Sequence, residues 1–278
     1  MAVDEVELTF HATGVHGGAV NDLQADELRI LDNGTQVEKI LAFRKAEDLP
    51  IRAGLLIDTS ESMANHIGLD RAIAAKLAQR LNRQQGDQAF AMDFGYGSEV
   101  KQDWTTNGNA VTFAIQSASA GHQSSLHGTA IFDALFRACF HQMSRIDRSA
   151  SGNFLVLFSD GEDNASHTSL PEAVDACQHA HTAVYVFRAA QAGTASTGPG
   201  TLAEIARETG GRVFHDDDVD AEIDKDIAAM EAEQRSRYWL VYRPGELKRD
   251  GAFHPVTVLG PDRVKSIEVR NGYYAPQP

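Results

Sequence analysis

The chain has 278 residues, 42% of them hydrophobic and 23% charged, and a formal net charge of -14; this is the composition of a globular protein with one large domain or a domain and a smaller companion. An acidic excess spread over both halves repels nucleic acid and anionic lipid headgroups, while favouring cations and basic partner surfaces. No apolar run approaches the roughly 20 residues needed to cross a bilayer, so no membrane insertion is expected, and "MAVDEVELTF" lacks the basic and apolar segments of a secretion signal.

Residues 1–49 read as β structure. "VELTFHATG" is followed by "ELRILDNGTQVEKILAF", in which two alternating runs flank "DNG", a strong hairpin signal. From 50 to 237 the pattern changes to short unbroken apolar runs separated by longer segments of helical period, as expected for a mostly parallel sheet covered on both faces. The runs are 53–58, 88–94, 153–160, 183–187 and 212–215, and the more polar 99–105 is expected to pair with its predecessor as an antiparallel edge. Helices are expected at 69–82, 109–118, 129–144, 170–181, 201–210 and 218–236, with Pro171 in the first turn of the fourth. Residues 238–278 return to strand-like runs. The two ends are expected to meet as a small β-sandwich into which the doubly wound α/β domain is inserted.

Cys139 and Cys177 both fall in helical segments. They are expected as buried free thiols, because two cysteines are too few for a framework; a single inter-helix disulfide is the alternative. The small-residue stretches 117–128 and 189–200 read as loops.

In an open α/β sheet, ligands bind beyond the carboxyl ends of the strands. Asp58 ends the first strand of the α/β domain and is followed by Ser60 and Ser62. Asp160 ends the run 153–160, which lies beside the first strand if the crossovers are those of a doubly wound sheet, and Thr129 opens the helix leading into that run. Five oxygen-bearing side chains thereby converge. With no soft ligand among them, they suit a hard cation, Mg²⁺ first, with Mn²⁺ or Ca²⁺ as alternatives. Two carboxylates balance a divalent charge only formally and hydroxyls donate weakly, so a water-filled position is expected that a partner's carboxylate would take.

"DTSES", "GTAIFDAL" and "SDGED" resemble the three motif segments of the von Willebrand factor A domain over roughly residues 50–237. The resemblance implies that Asp58, Ser60, Ser62, Thr129 and Asp160 form a metal-ion-dependent adhesion site, some through water. The flanks, "VNDLQADELRILDNGTQVEKILAF" and "VRNGYYAPQ", resemble the bacterial von Willebrand factor A-related proteins described mainly from acidobacteria, which implies an extracytoplasmic protein whose leader is missing here.

The function so implied is a non-enzymatic module in which a cation bridges the domain to an acidic side chain of a protein partner. A cytoplasmic scaffold partnering an ATPase is an alternative. A metal-dependent phosphoester hydrolase is the other; it usually needs a second acid two residues after the first, where Ser60 stands, and a nearby lysine or arginine, which the motif segments lack. Several residues have competing readings. Asp58, Ser60 and Ser62 form either ligands or a capping turn. Glu61 adds a carboxylate beside the site that tightens a cation or repels an acidic ligand. His122 and His127 precede Thr129 and read as solvated loop residues. Glu162 and Asp163 orient coordinated waters or are exposed turn acids. The acids of "HDDDVD" (215–220) are expected to cap the following helix, the alternative being a second cation, and "DFGYG" (93–97) is expected as a strand end and turn.

Overall fold

The computed structural model describes residues 5–45, 50–81, 86–120, 127–145, 153–189, 197–215, 220–245 and 249–275. The chain divides into two compact units, Met1–Leu49 with Ala232–Pro278, and Pro50–Glu231. The first unit begins with strands β1 (Val6–Gly14), β2 (Arg29–Asp32), β3 (Thr35–Gln36) and β4 (Ile40–Lys45). The second contains β5 (Arg52–Asp58), α1 (Ile67–Leu81), β6 (Gln88–Phe94), β7 (Ser98–Thr105), α2 (Gly108–Ser117), α3 (Ile131–Arg137), β8 (Asn153–Ser159), α4 (Leu170–His179), β9 (Ala183–Arg188), α5 (Gly198–Thr209) and β10 (Val213–His215). Helix α6 (Asp220–Arg235) carries the division between the units, and β11 (Tyr238–Tyr242), β12 (Phe253–Leu259), β13 (Val264–Val269) and β14 (Gly272–Tyr274) complete the chain.

The six-stranded sheet of the α/β unit has the order β10-β9-β8-β5-β6-β7, parallel except for β7, which runs antiparallel on β6 at the edge. Strand β8 is buried along its whole length, which explains why its sequence is unbroken rather than alternating. Residues of α1, α2 and α6 cover one face and residues of α3, α4 and α5 the other. Across the first face the rings of Phe158, Phe187 and Phe214 stack in series, with centroids 5.2 and 5.1 Å apart. Each such buried side chain contributes about 1.5–3 kcal/mol. The covering helices bring β5 and β8 side by side, with Ile57 opposite Phe158, and so set the ends of both strands at one rim of the sheet.

Two features of the second face depart from the sequence reading. The segment expected as one helix over 129–144 is regular only through Arg137, then opens into a π-helical turn, Ala138–Gln142, and a tight 3₁₀ turn, Met143–Arg145. Cys139 in that π turn and Cys177 in α4 are both buried, but they are joined in a disulfide and are not free thiols. The two helical segments pack side by side and bring the Cα atoms to 4.8 Å, within bonding range. Periodicity gives the face on which each cysteine lies but not which faces meet.

In the other unit two antiparallel sheets, β13-β1-β11-β4 and β14-β12-β2-β3, contribute to one core of Leu8, Phe10, Ile30, Tyr238, Leu240, Tyr242, Val256 and Val258 among others. The hairpin turn forms at Asn33 and Gly34, both at positive φ (49° and 79°), as a tight two-residue loop demands. The run after it serves both sheets. Thr35 and Gln36 pair with β2, whereas β4 pairs with β11 in the other sheet. In β12 the side chains of His254, Val256 and Val258 are buried and their neighbours exposed, the alternation of a half-covered strand. Among the described residues no helix is long and apolar enough to cross a membrane.

Candidate metal centre

Asp58 is the last residue of β5 and is fully buried. The next residue, Thr59, turns towards β6, where its N–H and hydroxyl both donate to the carbonyl of Phe94, at 2.6 and 2.8 Å. Ser60 folds back, and its N–H donates to Asp58 Oδ1 at 2.9 Å. Ser60 stands at the N-cap position of the short 3₁₀ turn Glu61–Asn65 but makes no side-chain cap bond. Its hydroxyl lies 3.1 Å from that of Ser62 instead. Of the capping turn that was the alternative reading, the bond from the Ser60 N–H to Asp58 is present, whereas the Ser60 side chain does not cap the turn.

Asp160 follows β8 directly and is also buried, with Oδ1 accepting the N–H of Glu162 at 3.1 Å. Between the two acids sits Ser159, whose hydroxyl donates to Asp58 Oδ2 at 2.6 Å and accepts the N–H of Gly161 at 3.1 Å. Burial pushes the Asp58 carboxyl up to about 6, against hydrogen bonds from Ser159 and Ser60 that hold it down, and the charge of Asp160 adds to the rise. Among the described residues no basic side chain pairs with Asp58. Gly161, at φ +87°, meets Gly198 so closely that a Cβ on it would lie 2.5 Å from the Gly198 carbonyl oxygen; only glycine permits this approach beside Asp160.

Thr129 is buried in the segment before α3. Its N–H donates to Asn164 Oδ1 at 2.8 Å, and its carbonyl accepts the N–H groups of Asn164 and Ala165 at 3.0 and 3.1 Å. The following residue, Ala130, donates to the carbonyl of Gly95 at 2.8 Å. Gly95 in turn lies against Ser60, as a Cβ built on it would be 3.7 Å from the Ser60 nitrogen. Thr129 is thus bonded to the loop after Asp160, and its neighbour Ala130 is bonded to Gly95, which lies against the Ser60 turn. All five expected residues occupy the same end of the sheet.

The acids beside Asp160 have backbone partners. Asp163 Oδ2 accepts from Phe132 N–H at 3.1 Å and from the Ser166 hydroxyl at 2.6 Å, which makes it a helix cap rather than an exposed turn acid. Glu162 Oε1 accepts the N–H of Gly198 at 3.2 Å. His127 and Glu61, both exposed, approach to 3.7 Å. "DFGYG" is the end of β6 and a tight turn, with Gly95 N–H donating to Gly97 O. His122 and residues 216–219 lie outside the described residues.

Ser159, Asn164 and Ser166 were not legible as site residues from the sequence. One signal was available: α3 begins at Ile131 with Ala130 at its N-cap, which offers no side-chain cap, while the cap-rich stretch "DNAS" (163–166) precedes no helix of its own until Leu170. The cap of α3 comes from that stretch, since Ser166 Oγ accepts from Phe132 and Asp133 N–H, both at 3.1 Å.

The donor set is all oxygen: two buried carboxylates and three hydroxyls. Among the described residues no group of three or more histidine, cysteine or acidic side chains is placed to hold a metal. Two neighbouring buried acids, one of them, Asp58, with neutral donors, form a site that fits a hard divalent cation.

A family model of the von Willebrand factor type A domain matches residues 54–227. Among solved structures, the protein BatB from Bacteroides thetaiotaomicron is similar at 18% identity, with 67% of this chain and 98% of that one covered and a TM-score of 0.54. A von Willebrand factor type A protein from Catenulispora acidiphila is similar over 99% of this chain and 74% of its own, at 14% identity and TM-score 0.55. Proximal thread matrix protein 1 from the mussel byssus, described with a zinc-occupied MIDAS motif, is similar at 15% identity over 73% of this chain and 49% of its own, with TM-score 0.55. At these identities the likeness is one of fold. A comparison with curated proteins finds no match.

Proposed function

Because this chain belongs to the von Willebrand factor type A domain family, we propose that Asp58, Ser60, Ser62, Thr129 and Asp160 hold one divalent cation and that the protein uses it to bind a carboxylate of a protein partner. Mg²⁺ is the first choice, with Mn²⁺ or Ca²⁺ as alternatives. Bound there, the cation supplies an electrophilic centre with a position open to an outside oxygen. The observation that carries the reading is the burial of Asp58 beside Asp160, with hydroxyl and amide donors on Asp58.

The residues divide the work. Ser159 and the Ser60 amide orient the Asp58 carboxylate; the hydroxyls of Ser60 and Ser62 face each other and supply neutral oxygen. Few strong donors leave the ion's charge partly unspent, which favours adhesion to an acid. The role is non-enzymatic: Ser60 stands where a phosphotransfer aspartate would be needed. The Cys139–Cys177 disulfide supports an extracytoplasmic location over a cytoplasmic scaffold, since such bonds persist mainly in oxidising compartments.

Calorimetric titration of the chain with Mg²⁺ and Mn²⁺ tests the proposal. One site is expected, abolished in Asp58→Ala with the fold intact by circular dichroism. No binding at millimolar metal, or equal binding by the variant, overturns it.

A further inference from the structure

We propose that Asn164 is a positioning residue for the cation site and acts through Thr129. The inference rests on the reading of Thr129 as a ligand, and goes beyond it by naming what aims that ligand.

Both backbone polar groups of Thr129 are gripped by one dipeptide. Its N–H donates to the Asn164 amide oxygen, and its carbonyl accepts from Asn164 and Ala165 N–H. Threonine is β-branched and stiff about χ1, so a backbone held on both sides leaves its hydroxyl few directions. The residue before it is shaped to the same end. Gly128 has φ +127°, and a Cβ there would come within 2.7 Å of Asn164 Oδ1; glycine makes room for the amide.

The bonds on either side of this grip are reciprocal. Asp163 and Ser166 cap α3, and from the first turn of α3 the Asp133 carboxylate accepts the N–H of Thr168 at 2.8 Å. The segment carrying Thr129 and the loop carrying Asp160 therefore act as one body. Within it, the Asn164 side chain bonds to Thr129 itself, and a substitution can remove that bond without replacing a ligand.

Outer partners of metal ligands typically matter by about 10–100-fold in affinity. The test is a double-mutant cycle in the full chain, with Mn²⁺ as the probe and calorimetry as the readout. Asn164→Ala is expected to weaken Mn²⁺ binding about tenfold or more, and to add nothing in a Thr129→Ala background. Asn164→Asp keeps an acceptor for the Thr129 N–H and is expected to restore most of the loss. Thermal unfolding without metal checks the fold of each variant; if Asn164→Ala does not fold, Asn164→Ser takes its place under the same criteria. Unchanged affinity in Asn164→Ala overturns the inference, as does an equal penalty with and without Thr129. Failure of the unmodified chain to bind Mn²⁺ overturns the proposed site and this inference together, and is a distinct result.

Discussion

The sandwich unit and the α/β unit each withdraw an aspartate from solvent, Asp32 and Asp58, and they satisfy it with different chemistry. Asp32 Oδ2 accepts two phenolic hydroxyls, from Tyr242 at 2.8 Å and Tyr273 at 2.9 Å, and His254 Nδ1 lies 3.6 Å from Oδ1. Burial and the nearby Asp32 push both phenols above the ordinary tyrosine range, so they remain donors wherever the fold persists. Asp58 accepts the hydroxyl of Ser159 and both the amide and the hydroxyl of Ser60, and its other notable neighbour is a second acid. Burial alone therefore does not mark a functional carboxylate. What distinguishes Asp58 is charge that the surrounding groups leave uncompensated.

The sharpest break in that comparison is Asp32→Ala. Two buried hydroxyls then lose their acceptor, and a loss of about 2–5 kcal/mol is expected. The chain's two tryptophans, Trp104 on β7 and Trp239 on β11, fall one in each unit. Urea unfolding of Trp104→Phe and Trp239→Phe backgrounds reads the units separately, and the loss should appear at Trp239. A loss below 0.5 kcal/mol, roughly the scatter of an ordinary surface change, would mean that Asp32 is not the structural acid described.

Next in size is the disulfide, which lies within the α/β unit alone. It closes a separation of 38 residues, for which chain entropy gives about 4 kcal/mol and measured effects are commonly about 2–4. Reduction, or the pair Cys139→Ala and Cys177→Ala, should lower the transition seen by Trp104 by that amount and leave the Trp239 transition in place. Equal shifts of both would show that the two units unfold as one.

Asp58→Asn is expected to move stability the other way. Removing an uncompensated buried charge should stabilise the metal-free α/β unit by about 1–3 kcal/mol while abolishing any rise in melting temperature with Mg²⁺. A variant less stable than the parent would place Asp58 in the class of Asp32.

The legibility of these features in the sequence follows the distance over which their partners act. Asp58, Ser60 and Ser62 were visible because a strand end and its turn are contiguous, and Asp160 because it too ends an apolar run. Ser159 was hidden because its partner Asp58 is 101 residues away, and Asn164 because Thr129 is 35 away. The disulfide was misread for the same reason. Helix α3 was legible as a period but not as a geometry, since the opening into a π turn leaves the apolar spacing unchanged. The hairpin at Asn33–Gly34 was read from two residues, whereas the passage of the following run from one sheet to the other depends on β11, some two hundred residues on in the chain and invisible to any local pattern.

Asp133 gives the smallest effect and a third way of holding a carboxylate. Its partial burial works to raise the carboxyl, but hydrogen bonds from Thr168 and His167 outweigh that and hold it down at about 2. It sits in the first turn of α3, where a negative charge also meets the helix dipole favourably. An unfolded aspartate titrates near about 3.9, so the stabilisation is fully present above that value and is lost as pH falls through the folded one. Asp133→Asn should accordingly cost about 0.5–1 kcal/mol at pH 7, after allowance for solvent screening. The difference between variant and parent should stay level down to about pH 5 and shrink towards about pH 2. A difference that grew on acidification would mean that Asp133 is held above its ordinary range, as Asp58 is, and that burial wins at both.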